Sequence, residues 1–247
     1  MTESAAIDSE STVSLYDGVW CLALSEVLAG LLDVPLVKIE ISNHDSNMPN
    51  EIVAFLREAD LRVSQFLENR PGRATGFVPS DFKTVYHALQ AIADGNLAPG
   101  TSLCEWGSGF GVVASLASML EFTSCGIEIN KELVDASRRL ADDFGLPVEF
   151  VQGSFIPSGA EACAEEAYVD NNAEYSWLIS DADDGYKELQ LDPDDFDVIF
   201  AYPWPGEEYL ITSLFEKYAA EGALLLTFDY LDTVSLRRKV SESSGGD

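Results

Sequence analysis

Histidine and cysteine are both scarce in this chain of 247 residues, which has two histidines, His44 and His87, and four cysteines. Histidine is the usual acid–base group near neutral pH and a common metal ligand, so its scarcity leaves little room for histidine-based catalysis. The cysteines form no C-x-x-C pair. Cys104 and Cys125 fall within predicted buried strands, where we expect small core side chains rather than ligands. We therefore expect a cytoplasmic protein without a bound metal.

Basic residues are also few, with 14 Lys and Arg against 43 Asp and Glu, which gives a formal net charge of −29. Contacts to nucleic-acid phosphates need Lys and Arg, so no nucleic-acid partner is expected. The same acidity favours a cationic partner through long-range steering. It is equally typical of a protein that uses charge only to stay soluble, and the composition does not separate the two interpretations.

No apolar run is long enough to cross a bilayer, which takes about 20 residues. The run at 19–32 contains Glu26 and has no basic segment before it. It predicts a soluble helix rather than a signal or an anchor, so no membrane partner is expected. The sequence does not predict the oligomeric state.

The chain does contain a glycine-rich turn between two apolar segments. Residues 101–106 predict a buried strand, Gly107, Gly109 and Gly111 follow at alternate positions, and residues 112–120 predict an apolar helix. Glycines allow positive φ and let a ligand lie against bare main chain. The helix start offers free N–H groups to an anion. In an open α/β sheet such a turn lies at the carboxyl end of the strand, where ligands bind.

Two acids flank this turn in a way that limits the ligand. Glu105 precedes the first glycine by two positions, and Glu128 ends the next apolar segment, C-G-I-E-I. An acid at the end of the second strand can accept hydrogen bonds from two ribose hydroxyls. A dinucleotide site would have G-x-G-x-x-G, but the third glycine comes one position early and Val112 takes its place. A dinucleotide site and a glycine turn without a ligand remain as alternatives.

The E-x-G-x-G-x-G segment with the following G-I-E resembles the class I S-adenosylmethionine-dependent methyltransferases, over roughly residues 77–230. The resemblance implies that S-adenosylmethionine is the cofactor. Its glycines would shape the main chain along the methionine part, Glu105 would hold the ammonium end and Glu128 the ribose. The cofactor-binding residues that it implies are Glu105, Gly107, Ser108, Gly109, Gly111, Glu128, Ile129, Gly153 and Ser154.

Two segments of the cofactor site are less clear. The family often has an acid for the adenine amino group after the glycine that ends strand three, and this chain has Ser154 after Gly153. Either Ser154 binds the adenine edge or Phe155 packs on the ring. The segment at 77–80 resembles an aromatic-x-Pro-Ser segment that covers the methionine end in several families. It is equally typical of a helix start with Ser80 as N-cap.

The acceptor side of the site departs from the family. Strand four, predicted at 197–202, ends in Tyr202-Pro203-Trp204-Pro205. Amino-group methyltransferases often have an Asn or Asp, two prolines and an aromatic residue there. The resemblance therefore implies that Tyr202 and Trp204 are the catalytic-side residues, flanking the sulfonium or a cationic amine with their ring faces. For Glu207 and Glu208 we favour a capping role at the next helix over contact with an amine.

The predicted fold is α/β, a three-layer Rossmann-like sheet of order 3-2-1-4-5 with helices on both faces. The family usually adds two further strands, but residues 231–240 have room for one short element, so a truncated C-terminal edge is expected. The strand predicted at 36–41, or its flanking helices, would then cover the edge beside strand five, predicted at 223–230.

The domain prediction has three parts. Residues 1–70 form a mainly helical N-terminal cap, residues 71–240 form the S-adenosylmethionine-binding domain, and residues 241–247 form a polar tail. An acidic insertion at 158–196 interrupts the second part. It would serve as a lid or a wall that selects cations, or it is a solvated surface loop.

The predicted function is methyl transfer from S-adenosylmethionine to an acceptor that the sequence does not identify. The acceptor is a small molecule or a protein, and the acidity and the ring residues favour an amine or a basic protein side chain. One alternative is a protein that binds S-adenosylmethionine without catalysis. A dinucleotide-dependent oxidoreductase is the other, and the early third glycine disfavours it.

Overall fold

A seven-stranded sheet forms the centre of the protein in the computed structural model, which describes residues 36–41, 47–69, 76–160, 163 and 183–241. These residues belong to one unit, Pro35–Asp247. The predicted helix at 19–32, Cys21, His44, the predicted boundary at 70–71 and the tail from residue 242 lie outside the described residues. The strands are β1 (Leu36–Ile39), β2 (Ser102–Trp106), β3 (Thr123–Glu128), β4 (Glu149–Gln152), β5 (Val198–Ala201), β6 (Leu224–Phe228) and β7 (Val234–Lys239).

Six α-helices surround the sheet within the described residues. They are α1 (Asn50–Glu68), α2 (Phe82–Asp94), α3 (Val112–Met119), α4 (Lys131–Phe144), α5 (Gly185–Leu189) and α6 (Glu208–Tyr218), and a 3-10 turn at Pro193–Asp195 precedes β5. Among these helices, none has the length and the apolar character needed to cross a bilayer.

The five central strands are parallel and lie in the order β4-β3-β2-β5-β6. This confirms the predicted order 3-2-1-4-5, because the predicted strands one to five are β2 to β6. The sequences of β5 and β6, VIFA and LLLTF, are buried throughout. Continuous apolar strands of this kind are typical of a parallel sheet that is covered on both faces.

Within the described residues one further strand, β7, follows β6, as the expected truncation of the C-terminal edge requires, but the prediction that the N-terminal strand covers strand five was wrong. β7 folds back antiparallel on β6, with Leu226 opposite Leu236, and β1 pairs antiparallel with β7. The Asp229 carboxylate accepts a backbone hydrogen bond from Thr233 in the connecting turn, and this turn allows β7 to reach β6 directly. The N-terminal strand therefore lies at the predicted end of the sheet, but it covers β7 rather than strand five.

The sheet separates two apolar layers, as alternating strand positions require. Leu103, Phe200 and Leu226 face the core formed with α1, α2 and α3. Cys104 and Ile199 face the opposite core, formed with α5 and α6. The three-layer α/β prediction is confirmed, and Cys104 and Cys125 are buried free cysteines within it.

The segment before residue 70 contributes to this main core. Phe55 of α1 is fully buried and its ring meets Phe144 edge to face at 5.1 Å. β1 is part of the sheet itself. Whether residues 1–70 form a separate cap stays a prediction, since residues 1–35 lie outside the described part.

Local signals account for the ends of two helices. Asn130 caps α4 through a hydrogen bond from the Glu132 N–H group, and Gly145 ends the helix at a φ of 64°. The N-cap of α2 is Asp81 rather than Ser80, because the Asp81 carboxylate accepts the hydrogen bonds from Lys83 and Thr84.

The described end of the acidic insertion is packed. Helix α5 buries Tyr186 and Leu189 against the sheet, and Phe196 is 3% exposed. The interpretation of the whole insertion as a solvated surface loop was therefore wrong for residues 183–196. Most of its remainder lies outside the described residues.

The added strand β7 contributes to the core through Leu236, which is 1% exposed. We expect Leu236→Ala to lower the free energy of unfolding by about 2–5 kcal/mol, because it removes buried methyl groups and leaves a cavity. Urea denaturation followed by circular dichroism measures the change. The control is Val37→Ala on β1, which is 52% exposed and should change stability by less than about 1 kcal/mol. Equal stability of Leu236→Ala and wild type would contradict this placement of β7.

Candidate functional site

A cavity of about 300 Å³ opens at the carboxyl ends of β2, β3, β4 and β5. Chain order reverses between β2 and β5, and ligands of open α/β sheets bind at such a point. Nine of the eleven predicted site residues line the cavity: Glu105, Gly107, Ser108, Glu128, Ile129, Gly153, Ser154, Tyr202 and Trp204.

The three turn glycines, all at positive φ, have different surroundings. A Cβ atom at Gly107 would meet no atom within 4 Å, so bare main chain borders open space there. A Cβ atom at Gly109 would overlap the ring of Phe77, and one at Gly111 would overlap the ring of Phe150. Gly109 and Gly111 therefore do not line the cavity, and they shape the turn by allowing close packing.

Glu128 joins the end of β3 to the glycine turn. Its Oε2 atom accepts a hydrogen bond from the Gly109 N–H group at 2.8 Å, and its Oε1 atom accepts one from Asn130 at 2.7 Å. Burial raises the pKa of this carboxyl, and the backbone hydrogen bonds oppose the rise. A carboxylate oxygen can accept more than one hydrogen bond, so both oxygens retain capacity for a ligand at the cavity wall.

Glu105 lies beneath the start of α3. Its Oε2 atom accepts a hydrogen bond from the Ala114 N–H group at 2.8 Å, and the residue is 5% exposed. Burial raises the pKa of Glu105 to about 8, the Ala114 hydrogen bond opposes the rise, and the charge of Glu128 adds to it. The site thus holds two buried carboxyls whose charge is costly without a cation.

Ser108 supplies a polar group that nothing in the described part of the chain satisfies. Its N–H group donates to the Ile127 carbonyl at 3.0 Å, but its buried Oγ atom has no hydrogen-bond partner there. Leaving a buried hydroxyl unpaired costs about 1–3 kcal/mol, so this position suits a polar ligand atom.

The predicted adenine side is formed by the end of β4. The Oγ atom of Ser154 accepts a hydrogen bond from the Ile156 N–H group, and its O–H group remains a donor. Asp184 does not replace the acid that is absent at Ser154, because it does not line the cavity. Phe155 stacks on Trp106 with the ring centroids 5.4 Å apart and the planes 7° apart. An aromatic wall is therefore in place.

The predicted acceptor side follows β5. The Tyr202 ring meets Phe228 edge to face at 5.0 Å, and the side chain is half-buried. Burial raises the pKa of Tyr202, as do the nearby Asp232 and Asp229, so its hydroxyl stays protonated at neutral pH. Tyr202 and Trp204 both line the cavity.

The predicted capping role of Glu207 was wrong. It precedes α6, but its side chain makes no capping hydrogen bond to that helix. Instead its Oε2 atom accepts from the Trp204 N–H group at 3.0 Å, and it lines the cavity at 5% exposure. Burial raises its pKa to about 7. Glu208 is exposed and accepts from Gly206.

Aromatic residues outside the predicted set complete the walls. The segment at 76–80 lines the cavity, and Phe77 packs against Phe110 with the centroids 5.4 Å apart. Phe82, Phe200 and Tyr230 were not predicted as site residues, since isolated apolar positions carry no motif. Within the described residues, the lining includes three glutamates and no lysine or arginine.

Comparisons with known proteins find structures with a similar fold and low sequence identity. No protein-family model matches the chain, and no curated protein matches it in sequence. Solved structures do resemble it. An RNA methyltransferase from Salinibacter ruber, in complex with S-adenosyl-L-homocysteine, is 18% identical with a TM-score of 0.46, over 68% of this chain and 98% of that one.

Two further structures give a similar result. A methyltransferase from Geobacter sulfurreducens is 14% identical with a TM-score of 0.45, over 89% of this chain and 98% of that one. An O-methyltransferase from Bacillus cereus, in complex with S-adenosyl-L-homocysteine, is 13% identical with a TM-score of 0.43, over 83% and 71%. Because the sequence identities are this low, a function for this chain has to be argued from the geometry of its cavity.

The raised pKa of Glu105 predicts how stability depends on pH in the ligand-free protein. Its pKa rises from 4.5 to about 8 on folding, so the folded chain binds the proton more tightly. The stabilisation is fully present below about pH 4.5 and is lost as the pH rises towards 8. We expect urea-unfolding free energies between pH 5 and pH 8.5 to fall less steeply for Glu105→Gln than for wild type.

The control for this series is Glu149→Gln, an exposed glutamate at the start of β4. Its pH profile should match that of wild type. An unchanged slope in Glu105→Gln would show that Glu105 is ionised in the folded protein at neutral pH.

Proposed function

We propose that the protein binds S-adenosylmethionine in this cavity and transfers its methyl group to an acceptor. One observation carries the proposal: the Glu128 carboxylate at the end of β3 holds the glycine turn through Gly109 and also lines the cavity. A carboxylate that is able to accept hydrogen bonds from ribose hydroxyls therefore lies beside exposed main chain, at the carboxyl ends of parallel strands.

The cofactor's ribose would be held by Glu128. Each of its oxygens already accepts one backbone hydrogen bond, which fixes the orientation of the carboxylate. The remaining lone pairs would accept hydrogen bonds from two vicinal hydroxyls. Hydrogen bonds to a charged group contribute about 1.5–3 kcal/mol each, so this contact would dominate the polar recognition.

The amino-acid end of the cofactor fits the other side of the turn. Gly107 borders open space and lets a ligand approach the main chain. The unpaired Oγ atom of Ser108 would donate a hydrogen bond to a carboxylate, and Glu105 would interact with an ammonium group. A bound cation would also favour the ionised form of Glu105 and so offset the cost of burying this charge.

When bound, S-adenosylmethionine supplies a methyl group on a sulfonium, which already contains a good leaving group. The protein therefore has mainly to align the acceptor with that methyl group, and orientation of this kind lowers a barrier by several kcal/mol. Tyr202 and Trp204 would flank a positive charge with their ring faces, with contributions of about 0.5–2 kcal/mol each. The segment at 76–80 would cover the site and exclude water. Scarcity of histidine is compatible with this chemistry.

A protein that binds S-adenosylmethionine without catalysis is the second candidate. The observation that favours it is the absence of an Asn or Asp side chain at Tyr202, where amino-group methyltransferases often have one. Incubation with a cell extract and S-adenosylmethionine separates the candidates. Protein-dependent formation of S-adenosylhomocysteine supports the enzyme, and binding without turnover supports the second candidate.

The proposal predicts that S-adenosylhomocysteine binds the protein and that Glu128→Gln weakens this binding about tenfold or more, because one charged hydrogen-bond acceptor is lost. Isothermal titration calorimetry measures both affinities, and NAD is titrated in parallel. Circular dichroism first establishes that the variant is folded. Glu149→Gln, with its exposed side chain on the neighbouring strand, is the matched control and should bind like wild type. Tight binding of NAD without binding of S-adenosylhomocysteine would overturn the proposal.

A further inference from the structure

Glu207 is a buried carboxyl that the cofactor contacts proposed above do not use. It lines the same cavity, but on the side of β5 and α6 rather than on the side of the glycine turn. Trp204 donates one hydrogen bond to its Oε2 atom, while its buried Oε1 atom has no partner among the described residues. An unpaired buried carboxylate oxygen is unfavourable unless a ligand donates a hydrogen bond to it.

Its position also gives Glu207 a fixed geometry. The Glu207 N–H group donates to the Trp204 carbonyl at 2.8 Å while the Trp204 N–H group donates to its carboxylate, so two hydrogen bonds close the loop between β5 and α6. These two hydrogen bonds also fix the position of the Oε1 atom, although that atom itself makes no hydrogen bond within the loop. A rigid acceptor atom of this kind is suited to orienting a ligand.

The residues around Glu207 indicate what kind of group would donate a hydrogen bond to its Oε1 atom. Tyr202, Trp204 and Tyr230 line the cavity with it, and Tyr230 is 64% exposed. The lining has three glutamates and, within the described chain, no basic side chain. A carboxylate or phosphate next to Glu207 would be repelled by its charge, whereas a group that donates hydrogen bonds and is able to carry a positive charge would be stabilised by Glu207 and the ring faces.

From this geometry we propose that Glu207 binds the methyl acceptor and that the acceptor is a primary or secondary amine on an apolar body. The proposal rests on the proposed function, since it assigns the acceptor half of the same cavity. It also assigns a recognition role to a residue for which the sequence favoured a helix cap over contact with an amine.

In this role Glu207 would also take up the proton that the amine has to lose for methyl transfer. An amine that binds as the ammonium first passes one proton to the Glu207 carboxylate, which frees the lone pair of its nitrogen. That lone pair forms a bond to the methyl carbon as the carbon–sulfur bond breaks, and the electron pair of the broken bond remains on sulfur. The product leaves as the methylated ammonium, and Glu207 releases its proton to water. Because burial raises the pKa of Glu207 to about 7, the carboxyl is able to take up and release a proton near neutral pH.

Binding of small probes to the protein saturated with S-adenosylhomocysteine tests the proposal. Benzylamine is compared with benzyl alcohol, which has the same body without the amine. N-acetyl-lysine methylamide represents an amine on a protein side chain. Isothermal titration calorimetry gives each affinity for wild type, Glu207→Gln and the control Glu208→Gln, whose side chain is exposed one position along the chain.

We expect benzylamine to bind at least about tenfold more tightly than benzyl alcohol to wild type and to Glu208→Gln, and to lose this advantage in Glu207→Gln. Tighter binding of benzylamine than of the lysine probe supports a small-molecule acceptor, and the reverse supports a protein lysine. Equal binding of benzylamine and benzyl alcohol to the wild-type complex would overturn the proposal.

A contact between Glu207 and the sulfonium is the competing assignment. S-adenosylmethionine and S-adenosylhomocysteine differ at that sulfur, so both are titrated against Glu207→Gln. Weaker binding of S-adenosylmethionine alone, with the amine preference unchanged, would overturn the acceptor role. Failure of S-adenosylhomocysteine to bind wild type would instead contradict the proposed function itself.

Discussion

The hydrogen bond from Gly109 to Glu128 is the contact on which the site depends. It joins the turn after β2 to the end of β3 at 2.8 Å, and both partners come after the last paired residues of those two strands, Trp106 and Ile127. The glycine has to be at positive φ with no side chain, since any Cβ atom would overlap Phe77. Gly109 itself does not line the cavity, so its part in the site is to fix the carboxylate that does.

Electrostatics divides the cavity into two regions. Glu105 and Glu128 lie beside the glycine turn, and Glu207 lies at the opposite wall, so three carboxyls share a space with aromatic walls. Burial raises the pKa values of all three, so the charged form of each carboxyl is less favourable there than in water. In the proposed function, positive charges of the cofactor and an amine acceptor would restore the ionised forms. In that function, a preference for cationic ligands would come from the buried acids rather than from the exposed surface charge.

Much of the framework could be predicted from sequence because it depends on local patterns. Continuous apolar segments predict the parallel strands, and alternating glycines between a strand and a helix predict the turn. The pairing of β7 with β6 was not predicted, because the sequence of β7, VSLRRK, is mostly half-exposed and its placement depends on the turn after Phe228. The polar character of such a segment gives no clear strand signal.

The acceptor side was harder to predict for a different reason. An acid just before a helix is usually a cap, and only the three-dimensional structure shows that Glu207 turns to the Trp204 N–H group instead. Similarly, Phe82, Phe200 and Tyr230 come from separate parts of the chain and meet only when the sheet forms. Contacts of this kind depend on tertiary packing, which no local pattern encodes.

A crystal structure of the protein with S-adenosylhomocysteine tests the central claim most directly. We expect the two ribose hydroxyls to lie within hydrogen-bond distance, about 2.5–3.0 Å, of the Glu128 carboxylate, with the amino-acid part along Gly107 and Ser108. The Gly109–Glu128 hydrogen bond should be unchanged. A ligand bound away from the carboxyl ends of β2 and β3, or with its ribose directed away from Glu128, would contradict it.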